Sequence, residues 1–117
     1  MLFVSMRIAL AVQVWRDTDS HAKTPVTIWM PRAPSGYVSL GAVAVADYYE
    51  PNKKTVVKCV RRDCVSLAEL GRCIWRDRKG AALWKCGLWA VMNDAHTFLA
   101  RRDHQQPSPL QAFIVSV

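Results

Sequence analysis

The sequence predicts an all-β domain of short antiparallel strands, prism-like or sandwich-like, and three observations carry that prediction. Apolar and polar residues alternate over short runs, as Val26, Ile28 and Met30 do around Thr27, which is the period of a strand. The runs are rich in valine, threonine and aromatic residues, whose branched or flat side chains suit a pleated surface. Proline, glycine, asparagine and charged clusters then separate the runs at short intervals. At 117 residues the chain is read as a single β-rich domain, 1–117, with room for a modest core.

The organising stretch is Val26 to Val45. It reads as a strand from Val26 to Met30, a corner, and a second strand from Tyr37. Pro31 and Pro34 lack an N–H and fix φ, so they are expected to end the first strand, and Ser35-Gly36 completes the turn. Tyr37, Val38, Leu40, Val43 and Val45 form the second run. Upstream, Leu2 to Trp15 reads as a first strand. A signal peptide is the competing reading of that apolar start, but Arg7 interrupts it and no small-residue cleavage site follows.

Downstream, Thr55 to Val60 is a strand that Arg61-Arg62-Asp63 ends, with the Val57 and Cys59 side inward. Ser66-Leu67-Ala68-Glu69 fits a capping box, which predicts one short helical turn stopped by Gly71. Cys73-Ile74-Trp75 is a short strand, Arg76 to Gly80 a turn, and Ala82 to Met92 an apolar run. A turn at Asn93 to His96, a strand at Thr97 to Ala100, a polar loop from Arg101 to Pro109 and a last strand from Leu110 to Val117 complete the chain.

A weak internal echo runs through these elements. Val14-Trp15-Arg16-Asp17 resembles Ile74-Trp75-Arg76-Asp77, and Trp29 and Trp89 follow at equal distances. Tyr37 and Phe98 open the aromatic strand that comes next in each copy. Such periodicity suggests a repeated β unit.

Composition narrows the function. The four cysteines, Cys59, Cys64, Cys73 and Cys86, lack C-x-x-C spacing, so zinc is not expected and they read as reduced core residues, a disulfide pair being the alternative. His21, His96 and His104 sit in loops without metal-ligand spacing, and nothing arranges nucleophile, base and orienter. The expectation is a protein that is not an enzyme, with no cofactor and no small-molecule substrate. The net charge of +7 draws the surface to phosphate, or serves solubility alone. Lys53, Lys54 and Lys58, then Arg61 and Arg62, then Arg72, Arg76, Arg78 and Lys79 form the basic groups, with Arg101 and Arg102 a smaller pair. If strand order gathers those loops at one end, Lys53, Lys54, Lys58, Arg61, Arg62, Arg76, Arg78 and Lys79 make an anionic-lipid or phosphate rim. A plain solvated surface is an equal alternative, since Asp63, Asp77 and Asp103 sit beside three of the groups. Trp15, Trp29, Trp75, Trp84 and Trp89 read as sheet packing, Trp84 being the one expected to face outward.

At Ile28 to Val45 the sequence I-W-M-P-R-A-P-S-G-Y-V-S-L-G-A-V-A-V resembles a W-x-P-x-x-P-x-G-Y/F-x-x-L-G signature. That signature belongs to the vacuolar protein sorting-associated protein 62 family and to the large vacuolar protein sorting thirteen lipid-transfer proteins, especially the plant ones. Val57 to Asp63, Trp75 with Asp77, and Leu88 to Asp94 with Thr97-Phe98-Leu99 extend the likeness, which spans about residues 15–100. Ser35 and Ala42 depart from it, and the chain holds little more than one repeat unit. The resemblance implies a non-catalytic recognition module in trafficking or lipid transport, binding a protein adaptor or an anionic membrane. It implies a cytoplasmic place, peripheral at endosome, vacuole or other membrane contact sites. It also implies that Asn93, with Trp89 beside it, contributes to recognising a proline-containing adaptor peptide. Asn93-Asp94 as a simple left-handed turn is the competing reading. Carbohydrate or nucleic-acid binding through exposed tryptophans and basic loops is the alternative function, nucleic acid ranking lower, and a self-assembling β-prism subunit of a pore-forming or structural protein is the third.

Overall fold

The computed structural model of the chain describes residues 5–8, 10–17, 25–51, 57–77 and 85–116. Among them run eleven strands: β1 (Ser5–Arg7), β2 (Leu10–Arg16), β3 (Val26–Arg32), β4 (Tyr37–Val38), β5 (Val43–Ala46), β6 (Lys58–Arg61), β7 (Val65–Leu67), β8 (Glu69–Arg76), β9 (Gly87–Met92), β10 (Phe98–Arg101) and β11 (Phe113–Val115). All their pairings are antiparallel. They make four small sheets, ordered β2-β3-β5, β8-β9-β10, β1-β6-β4 and β7-β11. The all-β, antiparallel expectation holds.

Two of these sheets are built alike. In the first, Trp15 faces Ile28, Arg16 faces Thr27, and a bulge separates Trp15 from Gln13, which faces Trp29. In the other, Trp75 faces Leu88, Arg76 faces Gly87, and a bulge separates Trp75 from Cys73, which faces Trp89. The amides of Asp17 and Asp77 close the two hairpins onto the carbonyls of Val26 and Cys86. The third strands correspond too, since Val43 lies against Trp29 and Leu99 against Trp89. The echo in the sequence is thus an echo in register, bulge included. Tyr37, however, is not the counterpart of Phe98. It belongs to β4, in a different sheet, and Ala42 holds the matching place.

The organising stretch is cut differently from the expected two strands. Strand β3 runs through Pro31, which faces Ala11. Strand β5 accompanies β3 only as far as Trp29, so beyond it β3 has an unpaired side, the setting in which a strand tolerates proline. The Pro34–Tyr37 turn forms as expected, with the Tyr37 amide donating to the Pro34 carbonyl at 3.0 Å and Gly36 at φ 85. After the turn come two strands, β4 and β5, in place of one. The Ser39 hydroxyl donates to the Gly41 carbonyl at 2.8 Å and accepts from the Gly41 amide at 3.2 Å. This kink carries the chain from the β1-β6-β4 sheet to the β2-β3-β5 sheet.

Long-range pairing overrides local signals elsewhere. The predicted helical turn at Ser66 is absent. A 3-10 turn spans Arg62–Cys64, and Ser66 lies in β7, opposite Ile114 of β11. Gly71 sits in a bulge of β8, where a Cβ would stand 3.0 Å from the Met92 sulfur and 3.1 Å from the Ala90 Cβ. The expected first strand is split into β1 and β2, in separate sheets. The last one is a 3-10 turn, Pro109–Gln111, followed by β11, with the Ser108 hydroxyl accepting from the Leu110 amide.

Three apolar clusters join the sheets. Val14, Trp15, Ile28 and Cys86 fill the seam between the two matching sheets, with Phe98 and Leu88 against them. The Trp15 and Trp75 rings, equivalent in the two copies, meet edge to face at 5.3 Å. Ile8, Tyr37 and Cys59 form the second cluster, and Val91, Leu99 and Ala112 the third. Each such buried large side chain stabilises the fold by roughly 1.5–3 kcal/mol. Arg102 ties the seam further, donating to the carbonyls of Val14 and Gln13 at the bulge of β2. All four cysteines carry free thiols, three of them buried.

One buried difference between the copies lies at Thr27. The Thr27 hydroxyl donates to the Asp47 carbonyl at 2.6 Å. Its counterpart is Gly87, where a Cβ would stand 3.1 Å from the Asp103 carbonyl oxygen and 3.3 Å from the Trp89 indole nitrogen.

Candidate functional site

Asn93 follows β9 and governs the turn into β10. Its side-chain amide donates to the Thr97 hydroxyl and to the Phe113 carbonyl, each at 2.8 Å, and its oxygen accepts from the Thr97 amide at 3.2 Å. Both amide hydrogens are therefore engaged, and the residue ties the β9–β10 hairpin to β11. The left-handed residue of this turn is His96, at φ 54, and not Asn93 or Asp94. Its amide reaches back to the Asn93 carbonyl at 3.2 Å.

An open cleft of about 490 Å³ lies beside the turn, walled by Ile74, Ala90, Met92, Asn93, Thr97 and Ile114. Met92 is 58% exposed and Ile74 47%, so apolar surface lines a groove open to water. A narrower hollow of about 300 Å³ adjoins it through Asn93, Asp94 and Ile114 and reaches Leu40 and Val115.

A neighbouring cleft of about 370 Å³, sharing Ile74 with the first, is lined also by Cys73, Trp75, Arg76, Trp89 and His104. Trp89, expected beside Asn93, thus lines this second cleft and is not a wall of the first. Its indole N–H is buried without a partner among the described residues, as is that of Trp29. At the cleft's edge the buried Asp77 carboxylate accepts from the Cys86 amide at 2.6 Å and meets the His104 Nε2 at 2.8 Å. Burial alone pushes the Asp77 carboxyl up, but the Cys86 amide and His104 outweigh it and hold the group below the ordinary carboxylate range. The Cys86 thiol beside them is driven up to about 12 by burial and then by the Asp77 charge. A thiol so held is not a nucleophile.

The basic residues are spread. Lys58 and Arg62 stand exposed at and just beyond opposite ends of β6, and Arg76 is exposed at the end of β8 in another sheet. Arg61 pairs with Asp63, and Arg101 is held by both oxygens of Asp103 at 2.8 Å. The Arg101 guanidinium lowers the Asp103 carboxyl to about 2. Lys53, Lys54, Arg78 and Lys79 lie outside the described residues, as does Trp84. Among the described tryptophans Trp75 faces outward, at 42%, whereas Trp15 and Trp29 are packed inside. No group of three or more histidine, cysteine or acidic side chains is arranged for a metal among the described residues.

Sequence reasoning missed His104 and Ile74 as site residues. Extended outward from Thr27–Val45 and Gly87–Arg101, the register sets Asp47-Tyr48 against Asp103-His104, 56 residues apart where the tryptophans are 60 apart, and that shift conceals the match.

Fold and clefts together define a small antiparallel β-module with open apolar and aromatic grooves. The chain belongs to the family of vacuolar protein sorting-associated protein 62, whose model matches residues 9–100. The crystal structure of GNIP1Aa from Chromobacterium piscinae is similar over 90% of this chain, with a TM-score of 0.68 at 24% identity, a likeness of fold. This chain spans 22% of that one's length. No curated protein matches the chain.

Proposed function

We propose that the chain is a non-catalytic recognition module of vacuolar sorting and membrane traffic that seats an extended protein segment in the cleft beside the Asn93 turn. The observation that carries this reading is the cleft itself: Met92, Ile74 and Ile114 offer apolar surface in a concave site of about 490 Å³. Covering a side chain such as Met92 contributes about 1–2 kcal/mol, enough for a short segment to gain affinity from a few anchors. Asn93 shapes the wall, and its oxygen keeps acceptor capacity beyond the Thr97 amide. Family membership supports a place in trafficking, in the cytoplasm at an endosomal or vacuolar surface. The described cations stand on different sheets, and two are neutralised by aspartates, which favours a protein segment over an anionic membrane as the partner.

The test is fluorescence anisotropy with short proline-bearing peptides and their alanine counterparts, on the native chain and on Met92→Asp. Proline-dependent binding that Met92→Asp weakens at least tenfold supports the reading. Binding to no peptide, combined with flotation only on phosphatidylserine vesicles at low salt, overturns it in favour of the membrane.

A further inference from the structure

The two matching sheets differ at one equivalent position: an aromatic ring lies on the arginine of the first copy, and among the described residues none lies on that of the second. In the first copy the Arg16 guanidinium lies over the Tyr48 ring at 3.9 Å from its centroid, and the Tyr48 hydroxyl donates to the Asp17 carbonyl at 2.9 Å. Tyr48 is the second residue beyond β5, and extending the Thr27–Val45 and Gly87–Arg101 register outward sets His104, the third residue beyond β10, in the corresponding place. His104 is smaller, and it is drawn to the Asp77 carboxylate instead. Arg76, the counterpart of Arg16, is exposed and has neither an aromatic nor an acidic partner among the described residues. Trp75, the counterpart of the buried Trp15, is 42% exposed. The cleft of about 370 Å³ lies here, lined by Trp75, Arg76, Trp89 and His104.

From this pairing we infer that the second cleft is a receptor for an aromatic side chain, tyrosine above all, presented by a partner protein. The first copy supplies the template for the occupant: a phenol ring under a guanidinium, its hydroxyl on a main-chain carbonyl. The Asp77 carbonyl stands at the position equivalent to the Asp17 acceptor. A guanidinium attracts the face of an aromatic ring through its quadrupole, and Trp75 provides a second flat surface. The inference rests on reading the chain as a protein-recognition module, but it concerns a cleft that Asn93 and Met92 do not line.

The experiment monitors the Trp75 indole and Arg76 guanidinium signals by NMR while N-acetyl-tyrosinamide is added to the whole chain. Saturable shifts at both groups are expected, with none from N-acetyl-alaninamide. Arg76→Gln, an exposed change, weakens the response by roughly three- to fivefold, the worth of an exposed cation–π contact. His104→Tyr places the first copy's own occupant in the cleft and abolishes the response, while Met92→Asp leaves it intact. That last variant separates this cleft from the one beside Asn93: peptide binding lost with the tyrosinamide response retained means that the two sites fail independently. Equal shifts with alaninamide or methyl glucoside overturn the inference, and so does a response unchanged in both Arg76→Gln and His104→Tyr.

Discussion

Replacing Asn93 by alanine tests whether the residue is a structural tie. The change removes two donated bonds, to the Thr97 hydroxyl and the Phe113 carbonyl at 2.8 Å, and one accepted bond from the Thr97 amide at 3.2 Å. Each is worth about 1 kcal/mol net, and because one side chain makes all three, the joint loss is about 2–3 kcal/mol. For a domain of this size that corresponds to a fall in Tm of about 8–12 °C. Asn93→Asp keeps the acceptor for the Thr97 amide but turns a carboxylate oxygen toward the Phe113 carbonyl, so it is expected to destabilise at least as much. Thr97→Val removes only the hydroxyl partner and costs about 1 kcal/mol. The assay is thermal and urea unfolding monitored by tryptophan fluorescence. An Asn93→Ala variant that melts within about 2 °C of the native chain refutes the reasoning. The three bonds would then contribute nothing to folding, and Asn93 would be free for a ligand.

Gly41→Ala is expected to cost more than any surface change, because the new Cβ would lie 2.5 Å from the Phe98 carbonyl oxygen, which already accepts from the Ala42 amide at 2.7 Å. A loss of about 2–4 kcal/mol in urea unfolding is expected, since backbone must move. Acid weakens the fold in a defined window. The Asp77, Asp63 and Asp103 carboxyls all titrate lower in the folded chain than in the unfolded one, so their contribution is present above about pH 4 and is lost as pH falls toward 2. An unfolding midpoint flat from about pH 5 to 7 and falling below about pH 4 is expected, and Asp103→Asn should shallow that fall. Cys86, its thiol held near 12, should resist a thiol reagent at about pH 8 that labels Cys73, and should react only in denaturant.

The strand content was legible because alternation and turn residues act locally, as at Val26–Met30 and Pro34–Gly36. What misled were places where a partner far along the chain decides. Ser66-Leu67-Ala68-Glu69 has good helix-start chemistry, yet β11 claims those residues for a ladder. Pro31 looks like a terminator until β5 is seen to stop at Trp29. The candidate site divided in the same way. Asn93 stood out in the sequence, but its companions Ile74 and Ile114 come from strands 19 and 21 residues away in the chain, and no local pattern joins them. Of the two groups the resemblance named, the match over residues 9–100 bears out the vacuolar protein sorting-associated protein 62 family, and the Trp89 and Asn93 it grouped line different clefts.

The Thr27 and Gly87 pair has a consequence for how the chain reaches its fold. Two hairpins with the same register and the same bulge invite exchange, since the middle strand of one resembles the correct partner for the other. Middle strand β3 in the place of β9 would set the Thr27 Cβ 3.1 Å from the Asp103 carbonyl oxygen and 3.3 Å from the Trp89 indole nitrogen, a tight fit that glycine avoids. In the reverse exchange, Gly87 would leave the Asp47 carbonyl without its hydroxyl donor. The two halves of the repeat thus differ at a buried point that bears on which middle strand fits which hairpin, and Gly87→Thr would make β9 resemble β3 there.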